Sequence, residues 1–251
     1  MNKLDQTLDD VQNTRFDNTY HDFLAYMVKQ SVFTSMEVKC ILLVYHKYVL
    51  ANGPKAKNMT RKQFFHLFLV LFHIYDLQII ERILLHLTSE QIKDVDPIAF
   101  VKLFSVFMTD KLEHRMRFAF QIYNVQGTGY LNREVVTQAV EKFFIGDDED
   151  EINELRSDMV ELLFQKFDVD KDGVISYEDY SSVVSKQPLL VCFLGECLPS
   201  AGIQQSIAVC ANVISKVSND LKNPHVNIEE TVRKPSTSAG LSGLNNLKTK
   251  K

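Results

Sequence analysis

Glycine and proline are scarce in this chain, at nine and six of 251 residues. With so little to punctuate strands and turns, and apolar residues recurring three and four apart through most of the sequence, a nearly all-helical fold is expected. Cysteine is limited to Cys40, Cys192, Cys197 and Cys210, spread among apolar neighbours, so the thiols read as reduced and partly buried. A zinc site needs clustered Cys and His, and Cys192 with Cys197 supplies half of one. No apolar run approaches the roughly 20 residues that span a bilayer; FFHLFLVLF at 64–72 is among the longest. The start MNKLDQTLDD lacks a signal-peptide pattern, and Asn2 stands where myristoylation needs glycine, so a soluble protein is expected. Excess positive charge is missing too: the formal net charge is −4, with no basic patch before the tail, which argues against nucleic acid or a membrane surface as partner. There is no phosphate-binding glycine loop, no nucleophile setting and no acid placed beside His46, His66 or His73, so an enzyme is not expected.

What is present is enough apolar sequence, 45% of residues, for a sizeable core in one or two compact domains. The apolar residues also carry a repeat. Val160, Leu163, Phe164 and Phe167 form a helical stripe whose spacing recurs at Met116, Ala119, Phe120 and Tyr123, and again at Ile80, Ile83, Leu84 and Leu87. Each stripe is followed by a loop-length segment whose eighth residue is aliphatic, namely Ile175, Leu131 and Val95. Five places later comes an aromatic or aliphatic residue of a second helix: Tyr180, Val136 and Phe100. Loop starts at 88, 124 and 168 are 36 and 44 residues apart. A fourth copy runs from Ile41, Val44, Tyr45 and Tyr48 through Met59 to Phe64 and Phe68, if its loop is about three residues longer. Any helical bundle produces such stripes; the coincidence of stripe, loop length and central aliphatic residue is what indicates paired helix-loop-helix units of the EF-hand kind.

Only one loop has the chemistry to hold a cation. Calcium takes about six to eight oxygens, supplied by loop positions 1, 3, 5, 7, 9 and 12 around a glycine at 6. DVDKDGVISYED places Asp168, Asp170, Asp172, the Val174 carbonyl, Ser176 and Asp179 at those positions and Gly173 at the turn. Alternate aspartates repel one another unless a cation neutralises them. The closing residue is aspartate instead of the usual glutamate, one methylene shorter, which lowers coordination from about seven toward six and lets magnesium compete with calcium. NVQGTGYLNREV has Asn124, Gln126 and Val135 where ligands belong and no carboxylate at any coordinating position. TSEQIKDVDPIA has Ile92 fifth, Lys93 sixth and Ala99 last, and the first loop carries Lys55 and Lys57. None of these three is expected to bind.

Three stretches, LEHRMRFAFQIYNVQGTGYLNREV, DVDKDGVISYEDY and LLVCFLGECLPS, resemble the calaxin-like EF-hand proteins, relatives of the neuronal calcium sensors. The likeness spans roughly residues 30–200 and is sharpest beyond 110. It implies a calcium-responsive component of ciliary or flagellar axonemes that contacts the outer dynein arm heavy chain and docking complex and modulates motility. Such proteins typically bind calcium at their second and third loops as well. Here those loops have lost most of their acids, which points to a divergent paralogue and gives weight to a static, magnesium-filled docking adaptor. A third reading is the EF-hand regulatory subunit of an enzyme such as a phosphatase.

The expected organisation is an amino-terminal arm (1–30), a degenerate EF-hand pair (31–108), a second pair with the metal-competent fourth loop (109–187), carboxy-terminal docking helices (188–222) and a disordered tail (223–251). Leu189, Leu190, Phe193, Leu194 and Leu198 form an apolar segment stopped by Pro199; Ile203, Ile207, Cys210, Ile214, Val217 and Leu221 mark an amphipathic helix, read either as core or as a plug in the groove of one lobe. The ending LKTKK offers a contact for acidic tubulin tails, against the plainer reading of a solvated tail.

Overall fold

A computed structural model describes residues 7–53, 55–88 and 94–210, and the expectations for the tail and for Ile214, Val217 and Leu221 lie outside them. The fold is all-α. Each hand is two helices flanking a two-residue strand. In the first, α2 (Ser35–Leu50) leads through β1 (Met59–Thr60) to α3 (Arg61–Leu67). The second is α4 (Leu77–Leu87), β2 (Asp94–Val95) and α5 (Pro97–Phe107). The third is α6 (Leu112–Tyr123), β3 (Tyr130–Leu131) and α7 (Arg133–Val140); the fourth is α8 (Glu149–Phe167), β4 (Ile175–Ser176) and α9 (Tyr177–Lys186).

The aliphatic residue central to each loop is the residue that pairs. Met59 faces Val95 across the antiparallel β1–β2 ribbon, and Leu131 faces Ile175 across β3–β4. All four side chains are fully buried, as are Phe64, Phe100, Val136 and Tyr180 on the exit helices. An isolated two-residue ribbon has too few hydrogen bonds to persist in water, so its register is set by the apolar side chains beneath it. Tyr45 adds a polar tie: its hydroxyl donates to the Val95 carbonyl (2.8 Å) and accepts from the Met59 amide (3.3 Å), joining both strands to α2.

The first hand departs from expectation in detail. Val44 and Tyr48 are only half-buried, and α2 turns Val38, Leu42 and Val49 to the core together with Ile41 and Tyr45. The buried stripe is turned by about one residue from the expected one, and Gly53 at φ +98° makes the turn after α2. The exit helix then widens into a π-helical turn, Phe68–Phe72, ended by His73 in the left-handed region at φ +55°. The amino-terminal segment is itself a helix, α1 (Asp10–Gln30). Asp9 and Gln12 close a reciprocal capping box at its start, and Phe16, Tyr20 and Met27 are buried along one face. Phe16 and Tyr20 meet the ring of His46 on α2 edge-on, at 5.4 and 5.6 Å.

The two pairs share one continuous core. Phe107 of α5 meets Phe118 of α6 edge-on at 5.9 Å, and Lys142 reaches from just beyond α7 to Asp76 at 2.9 Å. No helix among the described residues is long and apolar enough to cross a membrane.

Asp76 serves both pairs. Its Oδ1 accepts from the amides of Gln78 (2.8 Å) and Ile79 (3.2 Å) at the start of α4, while Oδ2 takes the Lys142 ammonium. Partial burial works against its charge, but the Lys142 hydrogen bond and the two amides outweigh it and hold the carboxyl below its ordinary range. A folded-state pKa lowered in this way contributes stability above the unfolded carboxylate range near about 3.9 and loses it as pH falls through the folded value. Asp76→Ala is expected to cost about 1–2 kcal/mol at neutral pH, through cap and ion pair together. The gap between variant and parent thermal melts should close on acidification below about pH 4, and a gap unchanged at low pH would refute the assignment.

Candidate metal centre

The fourth loop begins where α8 ends. Phe167 is fully buried, and Asp168 follows as the helix cap at φ −83°, ψ 86°. The aspartates then hold the backbone in a tight coil. Asp168 accepts through Oδ1 from the Asp172 amide (3.1 Å) and through Oδ2 from the Gly173 amide (3.0 Å). Asp170 Oδ1 also accepts from the Asp172 amide (3.3 Å), and Asp172 Oδ1 from the Val174 amide (3.0 Å). The sharp turn falls on two left-handed residues, Lys171 at φ +61° and Gly173 at φ +88°. Glycine adopts that conformation without strain, which is why the sixth position carries one.

Asp168, Asp170 and Asp172 thereby converge, each offering a carboxylate oxygen within 4.8 Å of the other two. Among the described residues no other trio of His, Cys, Asp or Glu does so. Each pair of charges at that separation costs on the order of 1 kcal/mol even in water, a repulsion that a divalent cation converts to attraction. An all-oxygen, carboxylate-rich set suits a hard cation, calcium or magnesium, and disfavours zinc. The three aspartates fit such an ion, and β4 turns the chain so that the Val174 carbonyl and Ser176 follow them.

Asp179 is placed differently. It is nearly buried at the first turn of α9, outside the trio. Its Oδ2 accepts from the Ser176 amide (3.1 Å) and hydroxyl (2.6 Å), while Ser176 Oγ accepts from the Asp179 amide (3.1 Å), closing a capping box. Oδ1 is the oxygen left to face an ion, which limits this residue to one metal bond while the cap is intact.

The third and first loops are tied by neutral groups. In the third, Asn124 Oδ1 accepts from the Thr128 amide (3.1 Å), and Asn132 Nδ2 donates to Gln126 Oε1 (3.4 Å), so an amide stands where a ligand would. In the first, Asn52 Nδ2 donates to Gln63 Oε1 at 2.7 Å. Residues 89–93 of the second lie outside the described set; its Asp96 caps α5 through the Ala99 amide (2.7 Å).

Beyond α9, a 3₁₀ turn (Pro188–Cys192) and the following residues lie over the aromatic cluster of the second pair. Phe193 stacks on Phe167 with ring centroids 4.1 Å apart and also meets Tyr123 and Tyr180. Tyr180 donates to the Val191 carbonyl (2.8 Å), while Val191, Leu194 and Leu198 are buried and Leu189 is exposed. Helix α10 (Ala201–Cys210) packs instead against Phe68–Phe72, burying Ile207 and Ala208, with Gln204 Nε2 donating to the Phe107 carbonyl (2.9 Å). The second pair is therefore covered by the segment before α10, while the described residues of the amphipathic helix lie against the first pair, which fits either the core or the plug reading.

A family model for an EF-hand domain pair matches residues 113–185, the third and fourth hands. Calaxin of Danio rerio is 27% identical over 175 residues, covering 67% of this chain and 82% of that protein. Calaxin of Homo sapiens is 26% identical over 172 residues, covering 66% and 81%. The chain is thus similar to calaxin over about two thirds of its length and contains an EF-hand pair. A calcineurin subunit of Schizosaccharomyces pombe is 32% identical over a shorter stretch of 95 residues, covering 37% and 52%. Likeness to calaxin runs over more than twice the length of the pair that the family model matches, 175 residues against 73 (113–185).

Two substitutions test the centre by calorimetric titration. Asp168→Ala should abolish the heat of calcium binding; a heat retained at parental size would place the ion elsewhere. Asp179→Glu restores a second metal-directed oxygen and should tighten calcium about tenfold, roughly 1.4 kcal/mol, while weakening magnesium competition. Unchanged affinity would show that position 12 does not contact the ion.

Proposed function

We propose that this chain is a non-catalytic calcium-binding regulator of ciliary or flagellar axonemes, held at the outer dynein arm through the docking complex and dynein heavy chain. The observation that carries the calcium half is the convergence of Asp168, Asp170 and Asp172 within 4.8 Å in a hand paired back to back with its neighbour. Val174, Ser176 and Asp179 complete the proposed ligand set. The axonemal half is supported by likeness to calaxin over about two thirds of the chain. The protein then resides in cytoplasm and cilium, with protein partners and neither nucleic acid nor membrane among them; tubulin contact through the basic ending is a minor extension of the same reading.

One observation favours a second reading. Asp179 already has one oxygen committed to Ser176, so coordination near six and permanent magnesium occupancy would make the protein a calcium-insensitive docking adaptor. Likeness to the calcineurin chain supports a third, in which the hands grip a helix of an enzyme.

Affinity capture from solubilised axonemes with tagged protein, in calcium and in chelator at millimolar magnesium, separates the three. Dynein and docking-complex chains recovered in calcium-dependent amounts support the regulator. Equal recovery in both buffers supports the adaptor. Recovery of a catalytic subunit without axonemal chains supports the enzyme-partner reading.

A further inference from the structure

The cysteines bracketing CFLGEC play no part in the metal centre. Cys192 closes the 3₁₀ turn, and the chain then reverses through Gly195 at φ +118°. Glycine is required by the turn, and a Cβ there would also sit 2.9 Å from Ile79 Cδ1 on α4, forcing that side chain to shift. The reversal brings Cys197 back against Cys192, with the two sulfurs 3.8 Å apart. Cys197 is fully buried, its sulfur 3.4 Å from the oxygen of the Tyr123 hydroxyl, which donates to the Gly195 carbonyl (2.7 Å). Cys192 is half-buried. The pair thus joins a cysteine at the edge of the packed segment with one fixed and fully buried beside it.

Their acidities differ in the same sense. The Cys197 S–H directed at Cys192 stabilises a thiolate there and brings it to about 7, while burial pushes Cys197 well up. An attacking sulfur with a substantial thiolate fraction at neutral pH therefore lies beside a protonated resolving one.

We propose that Cys192 and Cys197 are an oxidation site at which hydrogen peroxide forms a reversible intramolecular disulfide that reports on the fourth hand through Phe193. The Cys192 thiolate attacks one peroxide oxygen; the O–O bond breaks and hydroxide leaves, taking a proton to become water, with sulfenic acid left on Cys192. Cys197 sulfur then attacks that sulfur, the S–O bond breaks, and a second water leaves carrying the Cys197 proton. Two thiols give two electrons to one peroxide, yielding one disulfide and two waters. A reducing dithiol reverses the change, as suits a transient disulfide in a reducing compartment.

Closing the sulfurs from 3.8 Å to a bond of about 2.05 Å draws the turn that carries Phe193 inward. Phe193 stacks on Phe167, the residue immediately before Asp168, so the movement is delivered to the hinge of the metal loop.

Full-length protein treated with one equivalent of hydrogen peroxide and cut by a glutamate-specific protease, which cleaves at Glu196 between the two cysteines, gives the first readout by mass spectrometry. The two halves should remain joined, two hydrogens lighter, until dithiothreitol is added; Cys40→Ser and Cys210→Ser should behave as the parent, and Cys192→Ser should fall apart. Oxidation that stops at Cys192 with Cys197 free, or that links other cysteines or two chains, overturns the disulfide. Hydrogen exchange supplies the second readout. Peptides covering 160–180 should change their exchange rate by at least about twofold on oxidation of the parent and not of Cys192→Ser, and equal rates in the parent's two states would overturn the link to the fourth hand.

Discussion

The fold depends on back-to-back pairing of loops that cannot stand alone. A loop of twelve residues has too little apolar surface to hold its own shape. Pairing Leu131 with Ile175 buries both aliphatic side chains above the exit helices and lets each loop serve as template for the other. Once pairing is fixed by apolar contact, the ligand positions of one partner are free to change. The third loop illustrates this: Asn124, Gln126, Thr128 and Asn132 bond to one another in place of an ion, at no cost to the ribbon that supports the fourth. Loss of acids from three loops is therefore compatible with an intact scaffold around one centre.

The same separation explains what the sequence revealed. The central aliphatic residues, the buried exit residues and the convergent aspartates follow from short-range rules of spacing and charge, and all were readable. Position 179 was readable in identity and not in role: that its carboxylate closes a capping box with Ser176 depends on the rotamer chosen in three dimensions. Helix α1 escaped although its signals were present, Asp9 and Gln12 as a capping box followed by Phe16, Tyr20, Phe23 and Met27 at helical spacing. The many charged and amide residues around that stripe dilute its periodicity. The π-helical turn at Phe68–Phe72 has no evident local signal, and the Cys192–Cys197 spacing reads in sequence only as half a zinc site; that the two sulfurs meet depends on the reversal at Gly195 and on its tie to distant Tyr123.

The covered state of the second pair constrains how calcium could act. Val191, Leu194 and Leu198 are buried there, and each such side chain is worth about 1.5–3 kcal/mol on removal from water. A cation at a hundred times its dissociation constant favours the form it binds by about 2.7 kcal/mol at most, and only to the extent that it discriminates between forms. Ion binding by itself therefore falls short of expelling the 188–198 segment. For calcium to regulate this surface as proposed, a partner helix offering comparable apolar surface to Phe167, Tyr180 and Phe120 would have to replace the segment, with the ion tipping an exchange near balance. On this account calcium tunes affinity for a partner, and the aromatic seat under Phe193 is where the two contributions meet.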